Sequence, residues 1–149
     1  MGKSTLFVAH GSNHSRNNPG FTALTRDMFG HKSSVFVDIN PNCNPTHVMD
    51  VTKNQIDFFE KRFDTIFLIF AHYSVMKSRI FWHNVSGWLK PGGVVHTVLP
   101  RVMYKRRHDY MYGHAISQYT DLCMVDKRCA LRMQKKKFCP ALIMRKTTV

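Results

Sequence analysis

Phe63-Asp64-Thr65-Ile66-Phe67-Leu68-Ile69-Phe70-Ala71-His72-Tyr73-Ser74 opens a stretch that runs through an aromatic amphipathic segment to Leu89-Lys90-Pro91-Gly92-Gly93-Val94-Val95-His96-Thr97-Val98-Leu99-Pro100. Residues 66–71 are an unbroken apolar run without charge. It is too short to span a membrane and suits a strand buried on both faces. Pro91-Gly92-Gly93 predicts a sharp turn, and residues 94–99 predict a second, β-branched strand. Between them Ile80, Phe81, Val85, Trp88 and Leu89 recur at spacings that place them on one side of a helix. Strand, helix, turn and strand make a βαβ unit, which builds a parallel sheet.

Upstream, residues 5–9 read as a first strand, followed by the polar loop His10-Gly11-Ser12-Asn13-His14. Asn18-Pro19 predicts a helix start, with Phe21, Leu24 and Met28 on one face and Gly30 as the stop. Residues 34–39 read as a second buried strand with Asp38 at its carboxyl end. Residues 46–51 read as a short third strand with Asp50 near its end. Residues 55–61 predict a short helix presenting Ile56 and Phe59. Downstream, residues 101–113 show no clean period. Residues 121–133 alternate only approximately, and 138–144 form a last apolar run. Two strands joined by the basic turn Lys135-Lys136-Lys137 predict an antiparallel hairpin at a sheet edge, where lysine and proline are tolerated.

The 149 residues suit one domain, 1–149, with a substantial core. No run of about 18 apolar residues is present, so neither a membrane span nor a membrane partner is expected. Cys43, Cys123, Cys129 and Cys139 are irregularly spaced and read as reduced thiols, which suits an intracellular protein of cytoplasm or nucleus. Lys and Arg number 22 against 9 Asp and Glu, a formal charge of +13. Residues 101–149 carry 12 basic and 3 acidic side chains, net +9. Such a field favours a polyanionic partner, nucleic acid first. Lys105-Arg106-Arg107 and Lys135-Lys136-Lys137, near Tyr104, Tyr110 and Tyr112, combine phosphate contacts with stacking surfaces.

Five alternating strands followed by an antiparallel pair resemble the class I S-adenosylmethionine-dependent methyltransferases, an α/β Rossmann-like fold. Leu89-Lys90-Pro91-Gly92-Gly93 is similar to that family's lead-in to its fifth strand, and Phe63-Asp64-Thr65-Ile66 to the start of its fourth. The resemblance implies S-adenosyl-L-methionine as cofactor, bound across Ala9, Gly11, Asn13, Asp38, Asp50, Val51 and Phe70. Asp38 would accept from the ribose hydroxyls and Asp50 from the adenine amino group. The first loop departs from the family pattern. Phe7 stands where an acid is expected, and Ala9 and Asn13 replace two of three glycines.

Phe70-Ala71-His72-Tyr73 also resembles a segment of mRNA cap guanine-N7 methyltransferases. That resemblance implies His72 and Tyr73 as the acceptor site and RNA as substrate. Two other readings follow from the residues. A degenerate methyltransferase fold would bind nucleic acid or a protein partner without methylating. Alternatively, Val8-Ala9-His10-Gly11-Ser12 resembles the opening of small cobalt and iron chelatases, which implies a metal at His10 with His72 or His96.

Overall fold

The βαβ unit forms. Strand β4 (Phe63–Ile69) leads through a short helix α1 (Tyr73–Met76) and helix α2 (Arg79–Trp88) into strand β5 (Leu89–Val98). The two strands are parallel, with Thr65 opposite Val94 and Ile69 opposite Val98. Helix α2 starts at Ser78, whose hydroxyl accepts from the Phe81 N–H at 3.1 Å. Its last turn contains no basic residue. A cation reaches that end from elsewhere: Lys146 Nζ donates to the Ser86 carbonyl at 2.7 Å and the Leu89 carbonyl at 3.1 Å.

The computed structural model describes residues 4–9, 34–39, 41, 46–69, 73–98, 106–125, 130–132 and 138–148. Besides β4 and β5, these hold β1 (Thr5–Ala9), β2 (Ser34–Asp38), β3 (His47–Val48), β6 (Leu122–Met124), β7 (Ala130–Arg132) and β8 (Phe138–Lys146), with helix α3 (Arg106–Tyr119) before β6. The sheet order is β3-β2-β1-β4-β5-β8-β6, and β7 pairs with β8 off that path. β1 to β5 are mutually parallel. β8 alone runs against both its neighbours, β5 and β6. The expected Rossmann-like sheet with an antiparallel C-terminal pair is therefore observed.

The two faces of the sheet differ. Leu6, Val8, Val37, Ile66, Leu68 and Val95 alternate onto one face and pack in the core with Phe81, Trp82, Val85 and Trp88 of α2 and Ile116 of α3. The other face carries an aromatic row in register across four strands. Phe36 stacks on Phe7 at 5.0 Å, Phe7 on Phe67 at 5.2 Å, and Phe67 on His96 at 4.9 Å. No helix among the described residues is long and apolar enough to cross a membrane.

Several sequence expectations are corrected. Residues 55–61 form turns, not a helix: Phe59 is buried, while Phe58 beside it is exposed. The third strand shrinks to two residues. Ile80, placed on the buried side of its helix, is 42% exposed, because Trp82 and Asn84 turn inward instead. Pro91-Gly92-Gly93 does not precede the fifth strand but bulges within it, where the register shifts between Phe63 and Thr65. Residues 101–113, without a period, run into α3, which begins at Arg106. The C-terminal antiparallel pair does lie at a sheet edge, with β8 on the inside against β5 and β6 outermost. The expected helix over residues 18–30 falls outside the described residues.

Candidate crevice at the strand carboxyl ends

In a parallel sheet the ligand crevice opens where strand order reverses. Here that point lies between β1 and β4, whose last residues, Ala9 and Ile69, are paired. Gly11, Asn13, Phe70 and His72 follow these two strands and lie outside the described residues. Tyr73 opens α1 immediately after that segment. Arg106 and Arg107 open α3. Lys105 and the three lysines 135–137 lie outside the described residues.

Asp38 is the last residue of β2, paired with Val48 of β3, and only 3% exposed. Its carbonyl accepts from the Met49 N–H at 3.0 Å, which turns the chain out of β3. Asp50 lies two residues past β3. Its Oδ1 accepts from the Thr52 N–H at 2.9 Å and the Thr52 hydroxyl at 2.6 Å, closing a local turn. The structure thus brings both aspartates to the carboxyl ends of adjacent strands. Val51 comes next, with its side chain in the core.

The sequence offered little warning of what fixes this segment. Buried Asn84 of α2 donates from Nδ2 to the carbonyls of Val51 (3.2 Å) and Asn54 (2.9 Å), and its Oδ1 accepts from the Ile56 N–H at 2.9 Å. Trp88 Nε1 donates to the Ile56 carbonyl at 2.7 Å. Residues 51–56 are non-regular backbone, so their polar groups need partners, and one side-chain amide supplies three. The only signal in the sequence was a polar residue inside an apolar helical stripe.

Phe7, where the family has an acid, is a core residue between Phe36 and Phe67. His96 ends the same row, and burial lowers its pKa to about 4. Its Nδ1 has no hydrogen-bond partner among the described residues. A metal site at His96 gains no support, since no cluster of three His, Cys, Asp or Glu suited to a metal occurs among those residues. His10 and His72 lie outside them.

The strand order, the lone reversed strand and the acidic strand ends define the fold of the Rossmann-like class I methyltransferases. No family model matches the sequence, and no curated protein matches it. Solved structures do. The N-methyltransferase NodS from Bradyrhizobium japonicum WM9, in complex with S-adenosyl-L-homocysteine, superposes with a TM-score of 0.59 at 16% identity, over 97% of this chain and 78% of that one. A complex between the Haloferax volcanii Trm112 methyltransferase activator and a methyltransferase matches with a TM-score of 0.65 at 12% identity, over 97% and 84%. The 16S rRNA (adenine(1408)-N(1))-methyltransferase of Catenulisporales acidiphilia matches with a TM-score of 0.60 at 8% identity, over 95% and 85%.

Proposed function

We propose that this protein is an S-adenosyl-L-methionine-dependent methyltransferase acting on RNA, with cap guanine N7 as the acceptor. One observation carries the reading: Asp38 ends β2 with its carboxylate sheltered from water, one strand from the point where the sheet order reverses. The donor chemistry suits the adenosine half of the cofactor. Asp38 would accept from paired ribose hydroxyls, and the Asp50-Val51 turn, held by Thr52 and Asn84, would border the adenine. Ala9, Gly11, Asn13 and Phe70 would line the methionine half. When bound, the cofactor supplies an electrophilic methyl group. The chain's own part is orientation, with His72 and Tyr73 holding the guanine so that N7 faces the methyl. NodS, solved with S-adenosyl-L-homocysteine, supports the cofactor. The rRNA methyltransferase and the +13 charge support RNA.

A second reading, a methyltransferase fold that binds a partner protein without methylating, is favoured by exposed apolar residues at one edge of the sheet. Val48 of the edge strand β3 is 56% exposed, Phe58, whose ring meets His47 of that strand, is 57% exposed, and Ile39 beyond β2 is exposed too. A chain of this fold has been solved with a protein activator. Calorimetric titration with S-adenosyl-L-methionine and S-adenosyl-L-homocysteine separates the readings. Micromolar binding, weakened at least about tenfold by Asp38→Ala, is expected for the enzyme. No heat at about millimolar ligand sinks it and leaves the binding protein.

A further inference from the structure

At the opposite end of the sheet from the crevice, β6 and the end of β8 enclose an open groove of about 600 Å³. Its lining includes Cys123 and an exposed Val125 from the edge strand and its exit, and Arg145, Thr147 and Thr148 from the end of β8. Register explains the arrangement. Arg145 pairs with Cys123 on one side and Val94 on the other, so it projects from the aromatic face of the sheet and stays exposed. Lys146, one residue on, projects to the helical face and is held by the Ser86 and Leu89 carbonyls, away from Arg145. The nearby carboxylate of Asp121 accepts the Ser86 hydroxyl.

Several cations of this basic chain are engaged in the structure. Lys90 pairs with Asp64 at 3.2 Å, Arg62 lies over Phe59 and Phe63, and Arg79 lies over Tyr119. The Arg145 side chain is exposed and makes no hydrogen bond or ion pair with the described residues. A planar guanidinium suits a phosphate, which it can grip with two parallel bonds. The exposed Val125 (45%) offers an apolar surface for the face of an unpaired base, while Met124, paired with buried Met144, packs against the core on the other face.

We propose that this groove binds single-stranded RNA, with one phosphate on Arg145 and the adjoining base against Val125. The proposal takes its ligand from the RNA reading above but does not depend on methyl transfer. Fluorescence anisotropy with a labelled single strand of about 20 nucleotides, across a salt series, tests it. Arg145→Ala should weaken binding about tenfold and reduce the slope of log affinity against log salt by about 0.7. Val125→Asp should weaken the single strand while leaving a duplex of equal length unchanged. Arg145 is exposed and remote from the crevice, so Arg145→Ala should keep any heat of S-adenosyl-L-methionine binding. Equal affinity and equal salt slope in wild type and Arg145→Ala would overturn the groove. Absent cofactor heat with normal RNA binding would instead strike only the methyl-transfer reading.

Discussion

His96 sits in mid-strand with its ring stacked on Phe67, and burial holds its pKa near 4 against an ordinary 6.5. The folded state therefore favours the neutral imidazole. Between pH 6.5 and 4 the unfolded chain binds more protons, so this contribution is complete above pH 6.5 and is lost as pH falls towards 4. Between pH 7.5 and 5 the loss should be about 2 kcal/mol. Urea unfolding at the two pH values measures it, and His96→Phe, which extends the aromatic row, should remove about that much of the pH dependence. Parallel losses in both proteins would show that other groups carry the effect. This role was not legible in the sequence, where His96 reads as one polar residue among valines. Asn84 was hidden for the same reason, because its three partners lie 28 to 33 residues away in the chain. The positions of Asp38 at the end of β2 and Asp50 two residues past β3 were legible, because strand ends are encoded in local sequence.

Among elements, those with one buried stripe or one apolar run were readable, and those held by tertiary partners were not. Residues 55–61 show helical spacing, yet Asn84 and Trp88 take the backbone groups of Ile56 in an irregular arrangement. Helix α3 opens with charged residues and is interrupted by Gly113, so its buried positions, Gly113 and Ile116 with Tyr112 and Tyr119 alongside, make a weak pattern. Pro91-Gly92-Gly93 was read as a turn because proline and glycine end most strands; here they make a bulge inside β5. The two glycines serve different needs. Gly92 adopts φ +80°, which Asn also tolerates, and a side chain there would meet only the Thr148 methyl at 3.4 Å. Gly93 has no room: a Cβ would lie 2.9 Å from the Lys90 carbonyl oxygen and 3.1 Å from that of Asp64. Thermal unfolding should therefore show Gly92→Asn destabilised by about 1 kcal/mol through backbone strain and Gly93→Ala by more, about 2–3 kcal/mol, through the carbonyl contacts. Equal losses would mean that strand β5 can shift to relieve the contact.

For the whole molecule, the decisive feature is where the last strand goes. β8 lies between β5 and β6, so β6 joins the sheet only through it. It also adds Leu142 and Met144 to the core and sends Lys146 to the end of α2. Even the backbone beyond β6 depends on it, since the Val125 N–H donates to the Ile143 carbonyl at 2.9 Å. The parallel half of the sheet and α2 thus have their outer flank completed by the final tenth of the chain. Such long-range pairing must wait for distant residues to meet, which ties stability to the C-terminal segment. A chain ending at Val125 keeps β1 to β6 in sequence but leaves β5 an open edge and β6 without a strand partner among the described residues. It should give no cooperative urea transition by circular dichroism, whereas the full chain should unfold in a single one. A cooperative transition in the shortened chain, at a midpoint near that of the full protein, would show that β1 to β5 and α2 are sufficient. The groove at Arg145 would then be an appendage to an autonomous crevice. Its absence would mean that the RNA groove and the candidate cofactor crevice stand or fall on the same strand.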